Sequence, residues 1–377
     1  MGTRLFKIIN NNYLNKKKCN NVNNTCDIYV NNLVYLLNDV NLFNTLIDCN
    51  NGSIIDTIDQ KKDVGAGVDV DKVTIFVKNK NVLFAIKFLK RETNDLLVLK
   101  NIKKIIENNK NLFMHAETMI TYGICNSLGI RQKIGNMLDT YCANKATAGK
   151  KTGPCSSITE FKLNNGNLYW IVARYAEYGV YRGSLQTNKF ISKLCNTDVT
   201  ILPSDHFIIQ LQLIWQTFIF GFNGIEHVDM HTENMFVYLD INYDKSTQKY
   251  YSYTVGDFIF YIKITPYLVA IADYGYDKIY GKKIVVPALK KCAESLIVLY
   301  TKDPVLPQFI KNNMQNFTEN INILAKNIKE QDDISAIQQQ IILFFKNIIP
   351  QIKKLQIGNS NVQLEKPINA TIIELKQ

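Results

Sequence analysis

Residues 227–236 read His-Val-Asp-Met-His-Thr-Glu-Asn-Met-Phe, and residues 272–275 read Ala-Asp-Tyr-Gly. One carboxylate, Asp229, stands five residues before an amide, Asn234, and a second, Asp273, directly precedes an aromatic residue and a glycine. These residue types suit phosphoryl transfer. Asp229 is the candidate acceptor that orients a hydroxyl nucleophile, and Asn234 and Asp273 are candidate oxygen ligands for magnesium. Asp257, in Val255-Gly256-Asp257-Phe258, competes for the metal role. Asp273 is preferred because the apolar residues 268–272 supply a strand to carry it and a glycine follows.

Chemistry on phosphates also needs cations and close backbone approach. In Phe84-Ala85-Ile86-Lys87 a lysine ends an apolar run, so its ammonium can face a cleft and pair with phosphate oxygens. Upstream, Val64-Gly65-Ala66-Gly67 offers glycines whose amides can approach phosphates, with Val70 where a third glycine would complete a Gly-rich loop. An acid must fix the Lys87 ammonium. Glu92, Asp95 and Glu107 are the candidates, and the sequence leaves the choice open.

The elements that must hold these groups follow from periodicity. Residues 28–46 are apolar at roughly helical spacing within an Asn-rich N-terminal region. Val73, Ile75 and Val77 alternate, Asn79-Lys80-Asn81 reads as a turn, and 82–88 resumes the apolar run, which predicts a β-hairpin. A helix is expected over about 91–108, with Leu96, Leu99, Ile102 and Ile106 on one face. Residues 131–160 read as an insertion loop and 168–175 as a strand. A strongly apolar helix is expected over 204–223, strands over 250–255 and 258–264, a third strand ending at Asp273, and helices to about 349. The expected organisation is an N-terminal extension (1–55), a β-rich lobe (56–180, with the insertion), a mainly helical lobe (181–350) and a polar C-terminal tail (351–377).

Composition sets the limits. The chain has 377 residues, 46% of them hydrophobic, which is enough for a sizeable core. Its net charge of +11 is spread along the chain and forms no nucleic-acid motif. The eight cysteines make no C-x-x-C pair, and with four histidines no zinc pattern arises. They are read as reduced thiols, and the expected location is cytoplasmic. The apolar stretch 207–222 is broken by Gln210, Gln212 and Gln216, so a buried helix is expected rather than a membrane span.

Taken together, these motifs resemble the protein kinase superfamily over roughly residues 60–300. Phe84-Ala85-Ile86-Lys87 is similar to the Val-Ala-Ile-Lys strand, and 227–234 to the H-x-D-x-x-x-x-N loop. Asp229-Met230-His231 is similar to the Asp-Leu-His of haspin-like kinases, of kinase-like proteins of large DNA viruses, and of small-molecule phosphotransferases. The resemblance implies an α+β, bilobal protein-kinase-like fold, ATP and Mg2+ as cofactors, and protein Ser/Thr hydroxyls as acceptors. It implies that Gly65, Gly67, Ala85 and Lys87 bind the nucleotide, and that the backbone near Tyr175 and Ala176 meets the purine edge. Three departures matter. Val228 replaces an arginine that would bind a phosphorylated loop, so switching by loop phosphorylation is not expected. His231 replaces a lysine that neutralises the transferred phosphate. No Ala-Pro-Glu string follows Asp273. Two alternatives remain beside the viral-type protein kinase: a small-molecule phosphotransferase on the same fold, and a catalytically silent pseudokinase scaffold.

Overall fold

The alternation of Val73, Ile75 and Val77 becomes strand β1 (Lys72–Asn79), which pairs antiparallel with β2 (Val82–Leu89) from Lys72↔Leu89 to Asn79↔Val82. The computed structural model describes residues 25–38, 72–79, 82–89, 91–109, 111–125, 136, 167–181, 189–192, 197–275, 277–279, 285–303, 312, 316–355 and 361–375. These residues are mixed α+β, as expected. The chain divides into two compact units: Met1–Leu97 with Thr118–Tyr175, and Val98–Glu117 with Ala176–Gln377. The cut falls between Tyr175 and Ala176, the pair expected to meet a purine.

In the first unit, β1 and β2 join β3 (Met119–Cys125) and β4 (Leu168–Arg174) in an antiparallel sheet of order β1-β2-β4-β3. Every residue of β2 is buried, as befits an inner strand. Helix α1 (Thr25–Asn38), overlapping the apolar stretch 28–46, buries Tyr29, Leu33 and Leu36. Helix α2 (Asn94–Asn108), whose residues from Val98 on belong to the second unit, begins three residues later than the expected start at 91. Thr93 Oγ1 accepts from the Leu96 N–H, and this cap fixes the later start. Gly65 and Gly67 lie outside the described residues, as does the 131–160 insertion apart from Asn136. Cys125 is disulfide-bonded, which corrects the reading of all cysteines as reduced. Sequence spacing does not show which thiols a fold brings together.

In the second unit, helix α3 (Pro203–Phe222) opens on a proline in its first turn and is apolar nearly all round, the signature of a helix enclosed by its own domain. Its buried glutamines are used: Gln216 Oε1 accepts from the His115 N–H, and Gln210 Oε1 from the Tyr300 hydroxyl. The helix ends where the Asn223 side chain donates to Ile219 O and Gly224 takes φ 69. Strands β5 (Gly179–Val180), β6 (Lys189–Ser192) and β7 (Thr197–Thr200) precede it, and after it come β8 (Ile225–Glu226), a 3₁₀ turn (Thr232–Asn234), β9 (Met235–Leu239), β10 (Lys249–Val255), β11 (Phe258–Lys263), β12 (Tyr267–Ile271) and β13 (Lys278–Ile279). Helices α4 (Val285–Lys302), α5 (Phe317–Lys329) and α6 (Ile334–Leu355) follow. Helix α4 packs closely on α3 at Gly221, where an added Cβ would lie 2.7 Å from Leu289 Cδ2 and 3.1 Å from its Cα.

β12 pairs antiparallel with β9, which also pairs with the short β5 (Gly179–Val180). The β10–β11 hairpin is flanked by β14 (Val362–Gln363) and β15 (Thr371–Leu375). The segment expected as a polar tail therefore finishes a helix and completes a sheet, β15 running parallel to β10 from Lys249↔Thr371 to Tyr253↔Leu375. Among the described residues no helix is long and apolar enough to cross a membrane.

Candidate functional site

Lys87 sits on the inner strand of the first unit's sheet, opposite Thr74 on β1 and Ile171 on β4. Its side chain is buried, and its Nζ lies 3.5 Å from Asp95 Oδ2. The structure therefore selects Asp95 among the three candidate acids. Asp95 occupies the first turn of α2 and is 2% exposed, where the helix N-terminus favours a negative charge. Glu92 and Glu107 are exposed, and Glu107 acts instead on Lys103, one turn back along the helix, whose pKa burial lowers against the opposing pull of the Glu107 charge. Ala85, two residues before Lys87, is buried opposite Phe76 and Ala173. Tyr175 directly follows β4 and is half-buried, as is Ala176 at the start of the second unit's segment.

Asp229, Asn234 and Asp273 all belong to the second unit; Asn234 is bonded to Asp229, and the residue before Asp273 is bonded to the Asn234 main chain. Asn234 Nδ2 donates to Asp229 O at 3.0 Å and to Asp229 Oδ2 at 3.2 Å. On the main chain, Ala272 N–H donates to Asn234 O at 2.8 Å, continuing the β9–β12 ladder one step beyond Met235↔Ile271. Asp273 is the next residue. The expected apolar strand, β12, thus brings the main chain just before Asp273 to Asn234, which ends the 3₁₀ turn and leads into β9.

Asp273 has φ 62. A left-handed backbone at a non-glycine residue costs on the order of 1–2 kcal/mol and persists only where the surroundings enforce it. Here they do. The next residue, Tyr274, is fully buried, and its hydroxyl lies 3.0 Å from Glu117 O and 2.9 Å from Ile271 O. The turn at Asp273 lets Tyr274 point inward while the strand before it stays paired. Asp257, the competing carboxylate, is exposed in the two-residue turn of the β10–β11 hairpin, where Gly256 takes φ 56.

In the 227–234 loop, His227, Met230, Thr232 and Asn234 are buried, Asp229 and His231 half-buried, and Val228 and Glu233 exposed. His227 is fully buried, its Nδ1–H shared between the two Asp277 oxygens at 2.8 Å each. Its Nε2 is buried without a hydrogen-bond partner, in a ring packed against Phe220 and Tyr274. The Asp229 side chain, in contrast, is 40% exposed, with His231 Nε2 at 3.4 Å from its Oδ2. Cys292 is not a rival nucleophile: burial pushes its thiol up to about 12.

Behind the site lies a polar core. His115 Nδ1 donates to Val269 O at 2.9 Å, so its Nε2 accepts from the Tyr253 hydroxyl at 2.7 Å, which in turn accepts from Gln212. Burial lowers the His115 pKa to about 4. His206, whose Nδ1 meets the Tyr181 hydroxyl at 2.6 Å, is likewise lowered to about 4 by burial.

Sequence reasoning missed Asp277 and Asp303, which hold the 227–234 loop. They lie 50 and 71 positions from their partners His227 and Thr232, and no local pattern links such pairs. Among the described residues, no group of three or more His, Cys, Asp or Glu side chains is placed to hold a metal ion. A cation held by Asp273 and Asn234 would need further oxygens from a phosphate ligand or water. Comparison with protein-family models and with curated proteins finds no match to this chain.

Proposed function

We propose that the chain is an ATP- and magnesium-dependent phosphotransferase acting on protein Ser or Thr hydroxyls, a protein kinase of the viral type. The observation that supports the reading is that Asn234 is bonded to Asp229 by its side chain and by its main chain to Ala272, the residue before Asp273. Asn234 commits its Nδ2 to Asp229, so its Oδ1 is the end left for a cation. Asp273, on a backbone conformation that few residues adopt, supplies a carboxylate beside it. These two side chains fit magnesium, which when bound would neutralise charge on the ATP phosphates. Asp229 is exposed enough to take or orient the proton of an incoming hydroxyl. In the first unit, Lys87, fixed by Asp95, would hold phosphate oxygens. Ala85, Tyr175 and Ala176 keep the base-binding role assigned to them from sequence. Gly65 and Gly67 keep the phosphate-approach role assigned to them from sequence.

The proposed compartment is the cytoplasm of a host cell, where ATP and magnesium are plentiful. The disulfide at Cys125 is unusual there. A small hydroxyl-bearing substrate is the second reading, favoured by His231 beside Asp229, since a lysine there would better neutralise the transferred phosphate.

Incubation with γ-labelled ATP and magnesium tests the reading. Wild type should label a protein substrate or itself, and Asp229→Ala and Asp273→Ala should both abolish the label. Label on a metabolite alone would shift the reading to the second substrate class. Label that survives both substitutions would defeat the site assignment.

A further inference from the structure

The open carboxylate of Asp229 stands on a loop fastened on both sides by buried carboxylates from elsewhere in the second unit. On the N-terminal side, Asp277 takes the His227 Nδ1–H on both oxygens at 2.8 Å and the Val228 N–H on Oδ1 at 3.2 Å. On the C-terminal side, Asp303 Oδ2 takes the Thr232 N–H at 2.9 Å and the Thr232 hydroxyl at 2.8 Å. Asp277 is 1% exposed and Asp303 6%. A carboxylate accepting several N–H and O–H donors out of water makes strong, directional bonds and fixes its donors closely.

The origin of Asp277 is informative. It lies four residues after Asp273, in the segment that a phosphate would order in a switchable kinase. Residues 277–279 of that segment are docked. Asp277 N–H bonds Tyr274 O at 3.1 Å, and β13 pairs with β8 through Lys278↔Glu226 and Ile279↔Ile225. Val228 offers no guanidinium for a phosphate, but its own main-chain N–H is the group that Asp277 binds. A built-in carboxylate thus binds the main chain at the position where the kinase resemblance would put a phosphate-binding arginine.

We infer that Asp277 and Asp303 are positioning residues that hold Asp229 and Asn234 in working geometry, and that Asp277 makes phosphorylation of the following segment unnecessary. The inference rests on the proposed phosphotransfer, and its test separates the two. Hydrogen exchange of the 225–234 amides reads loop anchoring without any ligand. In Asp277→Ala these amides should exchange at least about tenfold faster while those of α3 stay unchanged. Asp277→Asn, which keeps the volume and one acceptor, should fall between wild type and Asp277→Ala and serves if the alanine variant does not fold. Asp303→Asn should loosen the Thr232 end in the same way. In transfer assays kcat should fall at least about tenfold in Asp277→Ala with KM for ATP changed by less than about threefold. Phosphatase treatment of wild type should leave the rate unchanged.

Unchanged exchange at 225–234, or exchange raised equally in α3, would overturn the anchoring role. A loosened loop with unchanged kcat would overturn the positioning role. A rate lost on phosphatase treatment would overturn the built-in latch. A wild-type chain that transfers no phosphate would defeat the proposed function, while the exchange result would still decide whether Asp277 holds the loop.

Discussion

The two units hold their chemistry-bearing side chains by different means. In the first, Lys87 is held by a strand: β2 is buried end to end between β1 and β4, and Asp95 at the start of a helix supplies the ion pair at 3.5 Å. In the second, Asp229 is held by a loop that carries one short 3₁₀ turn and is pinned at His227, Val228 and Thr232 by two distant carboxylates. A strand positions a residue through main-chain pairing, which side-chain substitutions barely disturb. A pinned loop relies on specific side chains and is more fragile. All four histidines also fall in the second unit, so the units should differ in their response to acid as well.

The largest expected effects are on the loop side. Asp229→Ala and Asp273→Ala should each lower the transfer rate by about 10²–10⁴-fold at unchanged melting temperature, read from initial rates and a thermal melt. A melting temperature that collapses with either substitution would recast that residue as structural.

Acid comes next. Burial lowers the folded-state pKa of both His115 and His206 from 6.5 to about 4, so the folded state disfavours their protonation. Stability is therefore fully present above pH 6.5 and is lost as pH falls from 6.5 towards 4, by roughly 3 kcal/mol for each histidine. Exchange measured across this window should rise in the second unit first. His206→Gln should flatten the dependence, and an equally steep profile in that variant would exclude His206 as a source.

Packing should matter similarly in both units. In Gly123→Ala the new methyl would meet Trp170 ring atoms at 2.3 Å, and in Gly221→Ala it would meet Leu289. Each should cost about 1–3 kcal/mol in chemical denaturation. The smallest effect should come from Asp95→Asn, which leaves Lys87 on its strand. We expect about a tenfold loss of transfer, mainly through weaker ATP binding. A loss as large as that of Asp229→Ala would mean the ion pair, not the strand, positions the lysine.

Much of this scaffold was legible in the sequence because it is local. The period-2 run of 73–77 and the turn at 79–81 predicted the β1–β2 hairpin, and the apolar run 268–272 predicted the strand carrying Asp273. Asp95 could not be singled out because the choice depends on where α2 begins, and Thr93 moves that start to Asn94. β9 escaped notice because its five residues follow Asn234 without a break. β14 and β15 escaped because a polar, short strand looks like a tail until the β10–β11 hairpin provides its partners. Asp277 and Asp303 are acids without a motif, and only the folded chain brings them to the loop.

The most direct test is calorimetric titration of ATP, with and without magnesium, into wild type and Asp273→Asn. If Asp273 and Asn234 hold the nucleotide-bound cation, wild type binds ATP one to one in a magnesium-dependent way and Asp273→Asn binds it at least about tenfold more weakly. Equal binding by both proteins, or binding by wild type that ignores magnesium, would contradict the account.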